Sequence, residues 1–158
     1  CRSDHGWPLY LATLSYGAIT IRHSTAPESP MSFETAGVNQ RRSVLRSALG
    51  RAWIAFCSAE ERQTILRDIG GLGSRQQAAL DQALQRIRQV GHAFTPPNRS
   101  SLNGMAVPIR QRQRMLGAVS MRFPRSVMTE EQAATRYARP LAQMARAIAG
   151  DVVDRINR

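Results

Sequence analysis

Hydrophobic positions in the first third of the chain come in short runs that are typical of β-strands. Residues 9–14 and 18–21 are two such runs, and the Ser-Tyr-Gly segment between them predicts an antiparallel hairpin. Pro27 and Pro30 disfavour a continuation of the second strand. A third strand is therefore predicted after this loop, near residues 31–35.

The middle of the chain has the three- and four-residue spacing of apolar positions that is typical of amphipathic helices. A first helix is predicted to follow Ser43, a candidate N-cap, and to run through Phe56. Ser58 and Glu61 predict a capping box for a short second helix, which a glycine pair ends. A third helix is predicted from about residue 75 to residue 90.

Runs typical of strands return at residues 105–109 and 115–121, and the polar segment between them predicts an antiparallel pair. Residues 129–132 predict another capping box, which begins a last helix whose apolar face continues to the C-terminus. The order of strands, helices, strands and helix predicts one α+β domain, in which helices cover an antiparallel sheet.

Composition narrows the class of protein. The 158 residues fit one domain, and 42% apolar content is enough for a core. No run approaches the length of a membrane span and no segment resembles a signal peptide, so a soluble protein without membrane contact is expected. Cys1 and Cys57 lie in no metal-ligand cluster, which fits a reducing cytoplasm. Because the chain begins with Cys1 and soon enters an apolar run, it is expected to be a piece of a longer protein.

The charge of the chain indicates an anionic partner. All 22 basic residues are arginines, and the net charge is +11. Such a chain attracts nucleic acids or small acids. Because the arginines are scattered from Arg2 to Arg158 instead of forming one block, direct nucleic-acid binding by this segment is not favoured.

The residues that an enzyme would need are missing from the pattern. His5, His23 and His92 lie far apart, and the acidic pairs at residues 60–61 and 130–131 occupy first helical turns, where negative charge stabilises the helix dipole. The glycine-rich segment after the second helix lacks the lysine of a phosphate-binding loop. The sequence therefore predicts no catalytic residue, no metal site and no cofactor.

Arg122 is the most suggestive single residue. Alternation along the last strand places it on the same face as Ser120 and Ala118. If that face lines a cavity, the guanidinium of Arg122 and the hydroxyl of Ser120 are suited to a carboxylate, because a guanidinium offers two parallel donors and a permanent charge. The alternative is that this face lies toward solvent, where arginine is common.

Four segments together resemble the effector-binding domain of the isocitrate lyase regulator (IclR) family of bacterial transcription regulators. Residues 47–56 (SALGRAWIAF) are similar to the family's "HATAxGKAxLA" helix, and residues 58–62 (SAEER) to its "EEE" helix start. Residues 84–93 (LQRIRQVGHA) are similar to "L..IR..GYA", and residues 101–109 (SLNGMAVPI) look like "GLNCIAAPI". The order and spacing of these segments, more than any one of them, carry the resemblance.

Within the family, the chain most resembles the activators of hydroxyphenylpropionate catabolism. The residues that carry this likeness are Trp7-Pro8, Ser32-Phe33, Trp53-Ile54-Ala55-Phe56-Cys57 and residues 128–134. The family resemblance implies a GAF-like domain with a twisted antiparallel sheet flanked by helices. It also implies that residues 1–158 are the effector-binding domain, and that a winged helix-turn-helix DNA-binding domain precedes it in the full-length protein. Dimers or tetramers are implied as well.

The resemblance also implies where an effector would bind. Family pocket positions fall on Ala48 and Leu49 in the helix, on Met31 and Glu34 in the third strand, and on Ser120 and Arg122 in the last strand. The family's acid and cysteine positions fall on Thr95 and Gly104, and both are departures. Losing an acid and gaining Arg122 favour an anion, and the glycine makes room for it. Phe33 is expected, with Met31 and Leu49, to hold the apolar body of the ligand, while Arg122 could instead pair with Glu34.

These expectations converge on a small-molecule sensor. The predicted effector is a carboxylate larger than a two- or three-carbon acid, with an aromatic acid as one class, and its binding would control transcription of a catabolic operon. Operator DNA would be contacted only through the N-terminal domain. Two alternatives remain open: a structural oligomerisation module, and an enzyme that acts on small acids.

Overall fold

The computed structural model describes residues 6–32 and 37–156. Six strands form one antiparallel sheet in the order β3-β2-β1-β6-β5-β4, and four helices flank it. The strands are β1 (Leu9–Ser15), β2 (Ala18–Ser24), β3 (Arg41–Arg42), β4 (Ala93–Phe94), β5 (Leu102–Gln111) and β6 (Arg114–Pro124). The helices are α1 (Ala48–Phe56), α2 (Ala59–Asp68), α3 (Ser74–Val90) and α4 (Glu130–Ile156). The predicted α+β class, with helices on an antiparallel sheet, is confirmed.

Both predicted hairpins form. The turn between β1 and β2 places Tyr16 and Gly17 at positive φ, 48° and 72°, the backbone conformation that suits a tight two-residue hairpin. β5 and β6 pair over their whole length, and the turn between them is shorter than predicted. Arg112, at φ 54°, allows the sharp reversal, so the strands extend to Gln111 and resume at Arg114.

The prediction of the third strand was wrong. Met31 and Ser32 lie in a turn and a loop, the rest of the predicted segment lies outside the described residues, and β3 comes later, at Arg41–Arg42. A 3₁₀ turn at Ala26–Glu28 carries the chain away from β2 before it returns to pair with Ile19 and Thr20. The two-residue strand β4 was not predicted, because two residues carry no recognisable period.

The four helices lie close to their predicted positions, with one correction at a cap. Ser47, not Ser43, is the N-cap of α1, and its Oγ accepts from the backbone N of Gly50 at 3.0 Å. Ser43 caps the turn before the helix instead, since its Oγ accepts from Arg46 N. At α2, Ser58 Oγ accepts from the backbone N of Glu61, which confirms the serine half of the predicted capping box. Glu61 Oε1 instead accepts from Trp53 Nε1 at 2.9 Å.

The last helix begins with the reciprocal bonds of a capping box. The backbone N of Thr129 donates to Gln132 Oε1, and the backbone N of Gln132 donates to Thr129 Oγ1. The two bonds satisfy amides that an α-helix leaves unpaired at its start. This prediction from residues 129–132 is confirmed.

The sheet separates two hydrophobic clusters. α1, α2 and α3 pack on one face, against Tyr10, Ala12 and Ala118, and α4 packs on the other, against Val119 and Met121. β6 therefore sends alternate side chains to opposite layers, as strand geometry requires. The face of β6 that carries Ala118, Ser120 and Arg122 belongs to the α1 layer.

Candidate functional site

A cavity of about 350 Å³ lies between the amino end of α1 and the sheet. It is open to solvent and is lined by residues of five strands, two connecting segments and one helix. The lining residues are Tyr10, Ile21, Arg42, Ser43, Arg46, Ser47, Ala48, Leu49, Thr95, Asn98, Ser100, Leu102, Gly104, Ser120 and Arg122. We call this space the amino-end cavity.

Strand register brings the polar side chains of the sheet together. Gly104 on β5 pairs with Arg122 on β6, and Ser120 pairs with both Ala106 on β5 and Tyr10 on β1. Ser120 is only 3% exposed, so its face is not a solvent face, and the alternative of an exposed Arg122 face is wrong. A hydroxyl and a guanidinium two residues apart on β6 thus face one cavity.

The wall opposite is formed by a close approach of β4 and β5. Thr95 N donates to Gly104 O at 2.9 Å, and Gly104 N donates to Thr95 Oγ1 at 3.1 Å. A Cβ at position 104 would lie 2.9 Å from Thr95 Oγ1 and 3.5 Å from the Cβ of Ala48. Only glycine permits this packing without movement, and its missing side chain leaves the space open.

The floor of the cavity depends on a tight turn before α1. A Cβ at Gly50 would lie 2.2 Å from the carbonyl oxygen of Val44, which no side chain tolerates. Arg51 Nε donates to Leu45 O at 3.0 Å and holds the same turn from below. Burial lowers the pKa of Arg51. The turn directs Arg46 and Ser47 to the rim of the cavity.

The charge of the cavity is positive. Arg42, Arg46 and Arg122 line it, and none of its lining residues in the described part of the chain is Asp or Glu. The guanidinium of Arg46 makes no hydrogen bond or ion pair with the described residues. The amino end of α1 adds the positive end of a helix dipole. The arrangement is suited to an anion with an apolar body.

Six of the nine predicted site residues line this cavity: Ala48, Leu49, Thr95, Gly104, Ser120 and Arg122. Met31 does not, and this prediction was wrong in position. Its side chain is 43% exposed and lies beside Gly6, because the third strand of the sheet is not at residues 31–35. Phe33 and Glu34 lie outside the described residues.

The sequence analysis missed the arginines and serines before α1. Arg42 reaches the cavity as part of β3, and Ser43, Arg46 and Ser47 reach it from the turn that follows. Asn98, Ser100 and Leu102 were missed as well, because they belong to the loop that leads from β4 to β5. The available signal was the candidate N-cap at Ser43, which marked a helix start where backbone amides converge.

The described part of the chain shows no cluster of metal-ligating side chains. No group of three or more His, Cys, Asp or Glu is placed to hold a metal there. His92 packs edge-on against Phe94 with ring centroids 5.5 Å apart, and burial lowers its pKa. Among the described helices, none combines the length and the apolar character that a bilayer crossing requires.

Solved structures of transcription regulators share this fold. A protein described as a transcriptional regulator from Rhodococcus sp. RHA1 is 22% identical, with a TM-score of 0.80 over 98% of this chain and 65% of that one. The Thermotoga maritima IclR structure is 18% identical, with a TM-score of 0.78 over 92% of this chain and 61% of that one. The chain thus spans less than two thirds of either regulator.

A third structure is a domain of similar size. The inducer-binding domain of an Acinetobacter PobR double mutant, solved with 3-hydroxybenzoic acid, is 11% identical, with a TM-score of 0.75 over 93% of this chain and 89% of that one. These likenesses establish the fold. The sequence model described as bacterial transcriptional regulator IclR C-terminal matches residues 8–150, so the chain belongs to the IclR C-terminal domain family.

Proposed function

We propose that this chain is the effector-sensing domain of a transcription regulator and that its effector is a carboxylate bound in the amino-end cavity. The single observation that carries the proposal is the meeting of Arg122 and Ser120 with the amino end of α1 in one cavity whose described lining holds no acidic residue. A guanidinium, a hydroxyl and a helix amino end all favour a carboxylate.

The apolar part of the lining supports an effector with an apolar body. Tyr10, Ile21 and Leu49 are buried and line the same cavity as the arginines. A volume of about 350 Å³ exceeds what a two- or three-carbon acid fills. The aromatic acid in the PobR domain structure, and the sequence likeness to activators of hydroxyphenylpropionate catabolism, support an aromatic carboxylate.

The remaining parts of the proposal concern the full-length protein. A winged helix-turn-helix domain preceding residues 1–158 would contact operator DNA of a catabolic operon in the cytoplasm, and the chain itself would not be an enzyme. Binding would shift the balance between two arrangements of the subunits in a homodimer or homotetramer, because an effector regulates only if it prefers one state. The greater length of the IclR structure supports a second domain.

The test is a thermal-shift screen of the purified chain against aromatic and aliphatic carboxylates, followed by calorimetric titration of each hit. A bound ligand raises the melting temperature by mass action. We expect saturable binding of an aromatic carboxylate and no binding of its primary amide, which keeps the shape and removes the charge. Recovery of the unchanged acid after incubation is expected for a sensor, whereas turnover would establish an enzyme.

Arg122→Ala supplies the matched variant for this titration. We expect affinity to fall by about tenfold to hundredfold, the usual range for loss of a hydrogen bond to a charged group. Arg67→Gln, at an exposed position of α2 outside the cavity lining, is the control and should keep the affinity. Equal affinity in the two variants would remove Arg122 from recognition. A chain that binds no acid yet still self-associates would favour the oligomerisation module.

A further inference from the structure

A second concave site lies at the opposite end of α1. A cleft of about 430 Å³ is bounded by α3, by the β5–β6 hairpin and by α4, with Phe56 at its floor. Four arginines line it, one or two from each element: Arg88, Arg110, Arg112 and Arg146. A neighbouring hollow of about 390 Å³ shares Phe56, Arg88 and Arg110 with it and adds Arg62. We call the two together the carboxyl-end cleft.

Three of these guanidinium groups are held in place by protein contacts. Arg88 Nε donates to Ala55 O at 2.7 Å, and Arg62 donates through Nε to Ile54 O and through Nη2 to Cys57 O. The Cζ of Arg110 lies 4.6 Å from the centre of the Phe56 ring. The contact of Arg88 engages only its Nε side, so the two terminal nitrogens are left for a ligand. Prepositioned donors of this kind favour binding, because little conformational entropy is lost.

The contacts with α1 explain only part of the cluster. Arg62 and Arg88 satisfy carbonyls at the end of the helix, a favourable place for positive charge. Arg112 and Arg146 contact neither that helix end nor any acidic group in the described residues. Both are exposed, so they reach the cleft without an ionic partner among the described residues.

The electrostatics of the cleft are unbalanced. Neither hollow has an Asp or Glu among its described lining residues. Burial first, and then the like charge of Arg62, lower the pKa of Arg88, while Cys57 and then Asp81 raise it by smaller amounts. Like charges brought together in this way repel each other, and a bound anion would relieve the repulsion.

We propose that the carboxyl-end cleft binds a small phosphate-bearing anion, at a site separate from the amino-end cavity. Planar guanidinium forks match phosphate oxygens, and arginines from three elements can surround a tetrahedral dianion on several sides. An aromatic carboxylate fits less well, because the one aromatic ring in the lining is already covered by Arg110. Inorganic phosphate and phosphate esters share this chemistry.

The test uses the whole chain in a buffer free of phosphate and sulfate at fixed ionic strength. Inorganic phosphate, pyrophosphate and glucose 6-phosphate are titrated calorimetrically, with chloride as the reference anion. We expect saturable binding with one site per chain. A preference for glucose 6-phosphate over inorganic phosphate would identify an ester as the ligand class, and the reverse order would identify the free ion.

The variant Arg112→Gln/Arg146→Gln removes the two arginines that make no side-chain hydrogen bond or ion pair with the described residues. We expect it to bind the probes at least about tenfold more weakly and to keep its melting temperature. Arg67→Gln should leave phosphate binding intact, and so should Arg122→Ala, which separates this site from the carboxylate site.

Two results would overturn the proposal. One is the absence of saturable binding of all three probes to the unaltered chain. The other is an equal loss of binding in Arg112→Gln/Arg146→Gln and in Arg67→Gln, because that would show general attraction to a basic surface. A short duplex DNA gives a parallel test. If Arg67→Gln weakens its binding as much as Arg112→Gln/Arg146→Gln does, the attraction is again a general property of the basic surface.

Discussion

The two ends of α1 use the same residue type in different ways. At the carboxyl end, Arg62 and Arg88 donate to helix carbonyls, so part of their charge is already engaged by the protein. At the amino end, the helix dipole has the same sign as the guanidinium groups of Arg46 and Arg122, so the helix itself adds to the positive charge there. The helix itself therefore favours an anion at its amino end and not at its carboxyl end.

The surroundings of the arginines differ as much as their charge. The amino-end cavity combines three arginines with buried apolar side chains such as Ile21 and Leu49, and this mixture is suited to an amphipathic acid. The carboxyl-end cleft gathers five arginines, and the one aromatic ring in its lining is already covered by Arg110, which is suited to a compact anion. The two sites are both positively charged and yet predict different ligands, because they differ in the number of arginines and in the side chains that accompany them.

Gly50→Ala disrupts the turn at the amino end of α1, and we expect it to have the largest effect on stability. The added methyl would meet the Val44 backbone at 2.2 to 2.6 Å, so the turn before α1 must move. We expect a loss of about 2–4 kcal/mol in the free energy of unfolding, as for severe overpacking. Urea denaturation measures it.

The control for that variant is Gly150→Ala in α4. No atom outside its own helix lies within 4 Å of the added Cβ, and alanine has the higher helix propensity. This variant should be slightly more stable than the unaltered chain. Equal stability of Gly50→Ala and the unaltered chain would mean that the turn at Val44 is not rigid.

Cys57 tests the carboxyl end. Burial, and secondly the charge of Glu61, raise the pKa of its thiol from 9.0 to about 11, although Arg62 and Arg88 act in the opposite direction. At pH 8 the thiolate fraction in the folded chain should be about a hundredfold below that of the unfolded chain. In a Cys1→Ser background, alkylation of Cys57 is expected to slow by at least that factor on folding.

The same shift has a consequence for stability. A thiol whose pKa is higher in the folded state favours folding fully below the unfolded value of 9.0, and this contribution is lost as pH rises toward about 11. Cys57→Ser should therefore flatten the loss of stability between about pH 9 and pH 11, as measured by denaturation at several pH values. Alkylation at the same rate in the folded and the unfolded chain would show that the arginines offset the effects of burial and of Glu61.

The sequence predicted best what depends on local pattern. The helix spacing, the capping box at residues 129–132 and the two hairpins each arise from neighbouring residues, and all of them are present. Strand alternation was enough to place Ser120 and Arg122 on one face of β6. What made that face a cavity wall instead of a solvent face was the packing of α1, which lies far away in the chain.

The errors arose where long-range pairing decides the structure. The third strand was expected directly after the proline loop, but Arg41–Arg42 forms β3 because it pairs with Ile19 and Thr20. That pairing brings Arg42 to the cavity and leaves Met31 outside its lining. The scattered arginines concealed the carboxyl-end cleft for the same reason, since its members come from positions 62 to 146.

Gly104→Ala has the smallest expected effect. It separates the two sites by shape, because it alters the shape of the amino-end cavity without altering its charge and leaves the carboxyl-end cleft unchanged. The new methyl would lie 2.9 Å from Thr95 Oγ1 and would reduce the free space beside Ala48. We expect a loss of about 1 kcal/mol in the free energy of unfolding. The substitution should also weaken the binding of aromatic carboxylates more than it weakens the binding of acetate. Phosphate binding at the carboxyl-end cleft should not change.

Thr95→Ala supplies the partner for a double-mutant cycle. Gly104 N also donates to Asn103 Oδ1 at 2.9 Å, so removing the threonine hydroxyl does not leave that amide unpaired. The methyl at position 104 should cost less free energy in the Thr95→Ala background, because the atom it meets is gone. Additive costs would instead mean that the wall of the cavity yields elsewhere, and that glycine at position 104 is required by the strand and not by its contact with Thr95.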